Sequence, residues 1–433
     1  SSAASDVYKR QPRHREALEL SVMLALQGGD ADGAIRALQS LTSAFPGEPV
    51  YSDRLAGLLE RRQRRAEALE CYRKLLEARP ELVVSRFNHA GLLRRAGQAE
   101  AALAEYRRCL EDGMDDSAEV LSNMGSILAD LHRHDEAEKL LTRALAGKPD
   151  YLPALYNLAL LRQEQGAAEA AAELLNRMLL VQPGHPGALA RLAESAGSAE
   201  QARDLLGRME RALGDPQLQA IDRESLAYAR GKLLDDLGRY GDAFGSYTEG
   251  SRLSQQRVGP YRRDAQLALV DRLVAAYDQQ KGLDVAPVSN EPLVFICGMF
   301  RSGATLPEQM RGSHPDLTAG GEIDFFQREA PLDAGAAPGG PEGWQRLGAG
   351  YLDYLREAFG TLAVTNKRPD NFLYLGLLHQ LFPNARFLHT RRQPADNCLS
   401  VFFQQLDGRF PYANDLLDVG HYLDQQQRLM NAW

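Results

Sequence analysis

The sequence predicts an α + α/β protein: a helical solenoid over 15–256, a helical connector over 257–290 and an α/β domain with a parallel sheet over 291–433. Three observations predict it. Small and large residues recur at one long interval from Ala34 to Pro183, and more loosely as far as Tyr247. Beyond position 290, short apolar runs end in glycine- or cation-rich turns that lead into helical patterns, which is how strands followed by helices read in a parallel sheet. A length of 433 residues with 44% hydrophobic content leaves room for two or three domains with ample core.

The long interval is 34 residues. Alanines stand at Ala34, Ala68, Ala102, Ala137 and Ala171, with steps of 34, 34, 35 and 34. Four residues after each comes a large side chain: Leu38, Tyr72, Tyr106, Leu141 and Leu175. Prolines follow four of the alanines by 12 residues, at Pro46, Pro80, Pro149 and Pro183, with Asp115 near the missing place. A small residue lets two helices approach closely, and a proline ends a unit because it cannot continue a helix. The pattern resembles the tetratricopeptide repeat. Five repeats are plain, a degenerate sixth spans about 187–216, and Gly238, Ala243 and Tyr247 suggest a seventh. The resemblance implies a superhelix whose groove receives a protein or peptide partner; a rigid scaffold or dimer surface is the alternative. Ser1 to Gln11 fits no repeat and the chain opens without methionine, so 1–14 reads as a non-native or disordered leader.

The α/β part opens on Leu293 to Cys297, a run with the length of a buried strand, followed by Gly298-Met299-Phe300-Arg301-Ser302-Gly303-Ala304-Thr305 and a helical pattern. Strand, glycine-bounded turn and helix N-terminus make an anion site, because backbone N–H groups and the helix dipole converge there. The spacing Gly-x4-Gly-x-Thr is that of a nucleotide P-loop, but Ala304 stands where its lysine belongs. That argues against an ATPase, GTPase or nucleotide kinase. The cation lies earlier, at Arg301.

The loop resembles the 5′-phosphosulfate loop of sulfotransferases that use 3′-phosphoadenosine 5′-phosphosulfate (PAPS). Phe300 replaces the usual proline, Ala304 replaces a threonine whose hydroxyl would donate, and Pro307 falls a residue or two too deep in the next helix to be free of cost. A second apolar run, Thr361 to Thr365, leads to Asn366-Lys367-Arg368-Pro369. A third, from Arg386, ends in Arg391-Arg392, after which Gln393-Pro394 opens a helix carrying Ser400. Arg392 and Ser400, eight residues apart, can face one phosphate, and they resemble the pair that holds the ribose 3′-phosphate in the same family.

Between these segments, Gly320-Gly321-Glu322 resembles the Gly-Gly-Glu of tyrosylprotein sulfotransferases and their bacterial relatives. The resemblance implies Glu322 as the base for the acceptor hydroxyl and Lys367 on the bridging or transferring oxygens. Arg301 with Gly298, Ser302, Gly303, Ala304 and Thr305 would hold the 5′-phosphosulfate, and Arg392 with Ser400 the 3′-phosphate. Asp324 stands where the tyrosylprotein enzymes carry arginine, so a tyrosyl acceptor is not implied. His314, His379 and His389 rank below Glu322 as bases: one sits at a helix end, one on an amphipathic helix and one inside a strand.

PAPS is the expected co-substrate, with PAP as product and no metal; Cys71, Cys109, Cys297 and Cys398 are too scattered for ligand pairs. A net charge of −8 argues against nucleic-acid binding. No apolar run long enough to span a membrane and no signal peptide is visible, and sparse cysteine suits a cytoplasmic location. The stretch 333–341 reads as a connecting loop. The resemblance covers Pro292 to Trp433 and implies a sulfotransferase domain that is incomplete at its C-terminal end. The reading is thus a sulfotransferase with repeats for a partner or acceptor. Its rival is an inactive repeat adaptor with a degenerate nucleotide site, which Phe300, Ala304 and Pro307 favour.

Overall fold

The computed structural model describes residues 15–114, 117–280, 286–312, 314–332, 340–406 and 408–433. The leader at 1–14, Asp115 and most of the 333–341 loop lie outside the described residues. The chain divides into two compact units, 1–188 and 189–433.

The first unit is a stack of antiparallel helix pairs: α1 (Arg15–Gln27) with α2 (Ala31–Ala44), α3 (Pro49–Arg61) with α4 (Arg65–Ala78), α5 (Val83–Arg95) with α6 (Ala99–Glu111), α7 (Ala118–Asp130) with α8 (His134–Gly147), and α9 (Leu152–Glu164) with α10 (Ala168–Val181). Each recurrent alanine is the fourth residue of the second helix in its pair, and all five are at most 1% exposed. The large residues four positions on are buried as well, because residues at i and i+4 share one helix face. At the α7–α8 crossing the approach is close: a Cβ on Gly125 would lie 2.6 Å from Leu141 Cγ. The recurrent prolines fall two residues beyond the second helices. Within each pair the turn is made by a left-handed residue, Gly29, Gln63, Gly97, His132 or Gly166.

The second unit begins within α11 (Pro186–Glu194) and continues through α12 (Ala199–Leu213), α13 (Ala220–Asp236) and α14 (Tyr240–Val258). The same register persists: Ala202 and Ala243 are fourth in α12 and α14, each 2% exposed, with Leu206 and Tyr247 buried four residues later. Gly231 on α13 lies under the Tyr247 ring, where a Cβ would come within 2.7 Å. Next come α15 (Arg263–Gln280) and the α/β part: β1 (Val294–Gly298), α16 (Thr305–Gly312), β2 (Thr318–Ala319), α17 (Phe325–Glu329), α18 (Gly340–Phe359), β3 (Val364–Lys367), α19 (Leu375–Leu381), β4 (Arg386–Thr390), α20 (Pro394–Phe402) and α21 (Leu416–Ala432).

The sheet is parallel throughout, in the order β2-β3-β1-β4. β1 is central and every residue of it is buried. Its Phe295 ring is the hub of the core, with Tyr351, Phe382 and Phe387 stacked around it and Phe326 at its edge. Tyr277 meets Trp433 edge-on at 4.6 Å, and Trp433 Nε1 donates to Phe372 O at 2.8 Å, fixing the end of α21.

Two expectations need correction. The second strand is shifted toward the C-terminus of the run Thr361 to Thr365, because pairing with β1 sets Val294 against Thr365 and Ile296 against Lys367. Lys367 is therefore the last residue of a buried strand rather than part of the following turn. Pro307 is the third residue of α16, where the backbone nitrogen has no intrahelical partner to lose, so it forfeits no helical hydrogen bond.

Candidate functional site

In a parallel sheet, the loops beyond the strands' carboxyl ends share one edge, where ligands bind in open α/β folds. Here that edge gathers the loop after β1, the Gly320–Glu322 turn after β2, Lys367 at the end of β3, and Arg391-Arg392 after β4.

The loop after β1 is held tightly. A Cβ on Gly298 would lie 2.5 Å from Thr390 Oγ1 and 2.7 Å from Ser302 Oγ, so glycine is required by the close approach. Ser302 Oγ lies 2.7 Å from Thr390 Oγ1, which in turn donates to Cys297 O at 3.2 Å. Asn397 on α20, 2% exposed, donates to Phe300 O at 2.7 Å. The Phe300 ring that replaces proline packs edge-on against Phe410, centroids 4.5 Å apart. Ala304 packs with Val294 and Ile296, so this position faces core and offers no hydroxyl. Gly303 and Thr305 are exposed, Thr305 being the first residue of α16.

Arg301 is exposed and left-handed, with φ +63°, a conformation that costs a non-glycine residue about 1–2 kcal/mol. Its Nε donates to Ser400 Oγ at 3.3 Å. The loop and α20, separated by 99 residues, thus meet side chain to side chain. Arg392 is exposed and has no ion-pair partner among the described residues, leaving its guanidinium open to an anion.

Glu322 and Lys367 form the second cluster. Lys367 Nζ lies 2.8 Å from Glu322 Oε1, with the lysine side chain 11% exposed and the glutamate 49%. The backbone sets this distance: Gly320 N donates to Thr365 O at 3.1 Å, and Lys367 N donates to Gly321 O at 2.8 Å. Both glycines are explained. A Cβ on Gly320 would strike Thr365 O at 2.4 Å, and Gly321 has φ +67°. Behind Lys367, Asn371 Nδ2 donates to Ile296 O and Asn366 O, tying β1 to β3 at their ends. Arg368 pairs with Asp370 at 2.7 Å, and burial pushes the Asp370 carboxyl above the usual range against the opposing pull of that arginine.

The three histidines are engaged elsewhere. His314 accepts from Asp316 N at 3.3 Å, and His379 meets Phe387 edge-on. His389 lies 3.4 Å from Gln426 Nε2, and burial, then Arg391, hold its imidazole below the ordinary value. Asp324 stands at the N-cap position of α17 without a side-chain capping bond and pairs instead with Arg328 at 3.5 Å. Among the described residues no group of three or more His, Cys, Asp or Glu could hold a metal, and no helix is long and apolar enough to cross a membrane.

Sequence reasoning missed Thr390, Asn397, Asn371 and Glu308. Asn397 lies three residues before Ser400, one helical turn, and that spacing could have flagged it. Glu308 carried no signal, since an acidic residue in a first helical turn reads as a solvated partner of the dipole. In the first unit, α3, α5 and α7 line a groove with Asp53, Glu60, Asn88, Arg94, Arg95 and Asn123. There Asp53 Oδ1 accepts from Tyr72 OH at 2.8 Å and from Asn88 Nδ2 at 3.3 Å.

Comparison with known proteins agrees with both parts. Residues 292–433 match the model of the sulfotransferase family, and residues 2–49 and 128–188 match tetratricopeptide-repeat models. An uncharacterized protein of Aquifex aeolicus (strain VF5) is 25% identical over 346 residues, 74% of this chain and 44% of that protein. Protein-tyrosine sulfotransferase 1 of Rattus norvegicus is 34% identical over 113 residues, 23% of this chain and 30% of the rat enzyme. The chain spans less than half the length of either relative. A solved tetratricopeptide repeat protein from Parabacteroides merdae ATCC 43184 is similar at 19% identity and TM-score 0.43, covering 55% of this chain and 92% of that one. Tetratricopeptide repeats followed by a domain of the sulfotransferase family are what this chain comprises.

Proposed function

We propose that the protein transfers a sulfuryl group from PAPS to an acceptor hydroxyl, on a protein or peptide held in part by the repeats. The observation that carries the reading is the meeting of two anion-binding segments at Arg301 and Ser400, beside the Glu322–Lys367 pair. A phosphate-binding turn alone would suit many ligands. Two cationic segments side by side, next to a paired carboxylate and ammonium in the edge order Glu322, Lys367, Arg301, Arg392, suit a doubly anionic nucleotide whose reacting end is directed at that pair. The exposed Arg392, without an ion-pair partner among the described residues, and the N–H groups opening α16 fit such a ligand.

PAPS supplies the sulfuryl group as a phosphosulfate anhydride. Arg301 and the loop N–H groups hold its 5′ end; Arg392 and Ser400 hold the 3′-phosphate. Glu322 accepts the proton of the acceptor hydroxyl as that oxygen bonds to sulfur. Lys367 meets the charge left on the phosphate oxygen when the sulfur–oxygen bond breaks in line and PAP departs. An ammonium carries three donors, so its bond to Glu322 leaves others for the oxygens of the transferring group. The roles divide along 15–256 for the repeats, 257–290 as connector and 291–433 for transfer, and the cytoplasm is the fitting compartment.

Calorimetric titration with PAP, repeated on Arg392→Ala, tests the reading. The unmodified chain should bind PAP, and the variant should bind about 10- to 100-fold more weakly, as expected for loss of a charge-assisted contact. PAP affinity indifferent to Arg392, or magnesium-dependent ATP hydrolysis, would sink it. Absence of any sulfate transfer alongside intact PAP binding would favour the adaptor.

A further inference from the structure

Glu308 is a carboxylate that the transfer scheme leaves without a task, although it is only 5% exposed and borders the site. It is the fourth residue of α16, the helix that begins where the Arg301 loop ends. Its Oε1 accepts two hydrogen bonds, from Gly321 N at 2.9 Å and from Thr365 Oγ1 at 3.0 Å. Gly321 precedes Glu322, and Thr365 lies two residues before Lys367 on β3. One oxygen atom therefore joins the turn that carries the base, the strand that carries the lysine, and the helix that follows the anion loop.

A buried carboxylate is costly unless its lone pairs are met. It is also a strong acceptor, able to take two donors on a single oxygen. The left-handed Gly321 directs its N–H at Glu308 rather than into a ladder. The two backbone bonds between the turn and β3 do not reach α16; Glu308 does. We propose that Glu308 is a positioning residue that holds Glu322 at ion-pair distance from Lys367 and locks that pair to the loop bearing Arg301. This role rests on the sulfotransferase reading for its catalytic consequence, but its structural content stands apart from it.

The test uses the full chain with Glu308→Leu, Glu308→Gln and Thr365→Val. Two readouts are taken on each: the rate of amine acylation at Lys367 by mass spectrometry, with exposed Lys74 and Lys148 as internal standards, and steady-state sulfate transfer with PAP affinity. Glu308→Leu should raise Lys367 labelling severalfold and lower kcat by about 100-fold, the scale of an ångström-sized misplacement, with PAP affinity nearly unchanged. Glu308→Gln should restore most of both readouts, since the amide oxygen can accept the same two bonds. Thr365→Val, which removes one donor and keeps the carboxylate, should shift labelling and kcat in the same direction by less, and serves if the leucine variant does not fold.

Lys367 labelling unchanged in Glu308→Leu and Thr365→Val would overturn the proposal. So would a parallel loss of kcat and PAP affinity, or a failure of Glu308→Gln to rescue. If the unmodified chain transfers no sulfate while Lys367 still becomes reactive in the variants, the transfer reading falls and the structural role of Glu308 stands.

Discussion

The repeats and the sheet edge use sequence in opposite ways. In the repeats one alanine per unit, buried at the fourth position of a helix, is copied at Ala34, Ala68, Ala102, Ala137 and Ala171. A unit can lose one mark, as the third loses its proline, and the stack persists because neighbouring units bury the same faces. At the sheet edge Arg301, Glu322, Lys367 and Arg392 each occur once, on four different strand ends. No neighbour duplicates them. Recurrence therefore makes a feature visible and individually expendable, while singularity makes it functionally exposed and visible only through its chemistry.

The largest effect should come where nothing is duplicated. Glu322→Gln keeps the size of the side chain and an acceptor oxygen for Lys367, but removes the carboxylate proposed as proton acceptor. Turnover should fall by about 10²- to 10⁴-fold, the range of general-base catalysis, with PAP affinity intact. Steady-state kinetics beside calorimetry measures both. Equal loss of kcat and affinity would mean that Glu322 positions the nucleotide instead, and the edge would then contain no base.

Tyr247 belongs to both regimes, so it sharpens the contrast. By register it is a repeat residue, four after Ala243 and 4% exposed. Yet its ring stacks on Phe403, centroids 4.1 Å apart at 15°, and Phe403 directly follows α20, which carries Asn397 and Ser400. The same seam is reinforced by buried Glu224, which takes both Arg257 at 3.0 Å and Gln405 at 3.1 Å. Tyr247→Ala should cost about 3–5 kcal/mol, as for other large buried rings, and should also weaken PAP binding. Leu206→Ala, in the same register on α12, should destabilise and leave PAP binding alone. If Tyr247→Ala also leaves PAP binding alone, α14 supports the fold only and not the proposed nucleotide site.

This division also explains what could be read in advance. Repeat helices and their boundaries were legible because the period fixes which residue meets which, as with Ala102 and Tyr106. The loop after β1 was legible because glycine spacing and Arg301 encode backbone geometry directly. The exact strand in front of Lys367 was not, since the register of β3 is dictated by contact with β1, 70 or so residues away, rather than by its own apolar run Thr361 to Thr365. Asn371 and Glu308 were hidden for a related reason. Their partners, Ile296 O and Gly321 N, are backbone atoms brought near by the fold, and no sequence pattern marks a side chain chosen to satisfy a distant main chain.

Left-handed backbone puts the comparison to its finest test. Among the described residues three that are not glycine have positive φ: Gln63 at +59°, His132 at +58° and Arg301 at +63°. The first two stand at the intra-pair turn where other repeats use Gly29, Gly97 and Gly166. The turn's backbone bonds use neither side chain, although the His132 ring meets His134 edge-on at 5.8 Å, so His132→Gly should relieve the left-handed cost against the greater freedom glycine gains when unfolded. A net gain of about 0.5 kcal/mol is expected, read as a higher denaturant midpoint. Arg301→Gly relieves the same backbone cost and should also stabilise the fold slightly, yet it removes the cation proposed to hold the nucleotide's 5′ end and should lose PAP. Opposite signs for stability and binding at 301, against a simple gain at 132, would show that the strain at Arg301 is retained for its side chain. A loss of stability at both would mean that neither residue is strained, and the left-handed turn would then be no guide to function here.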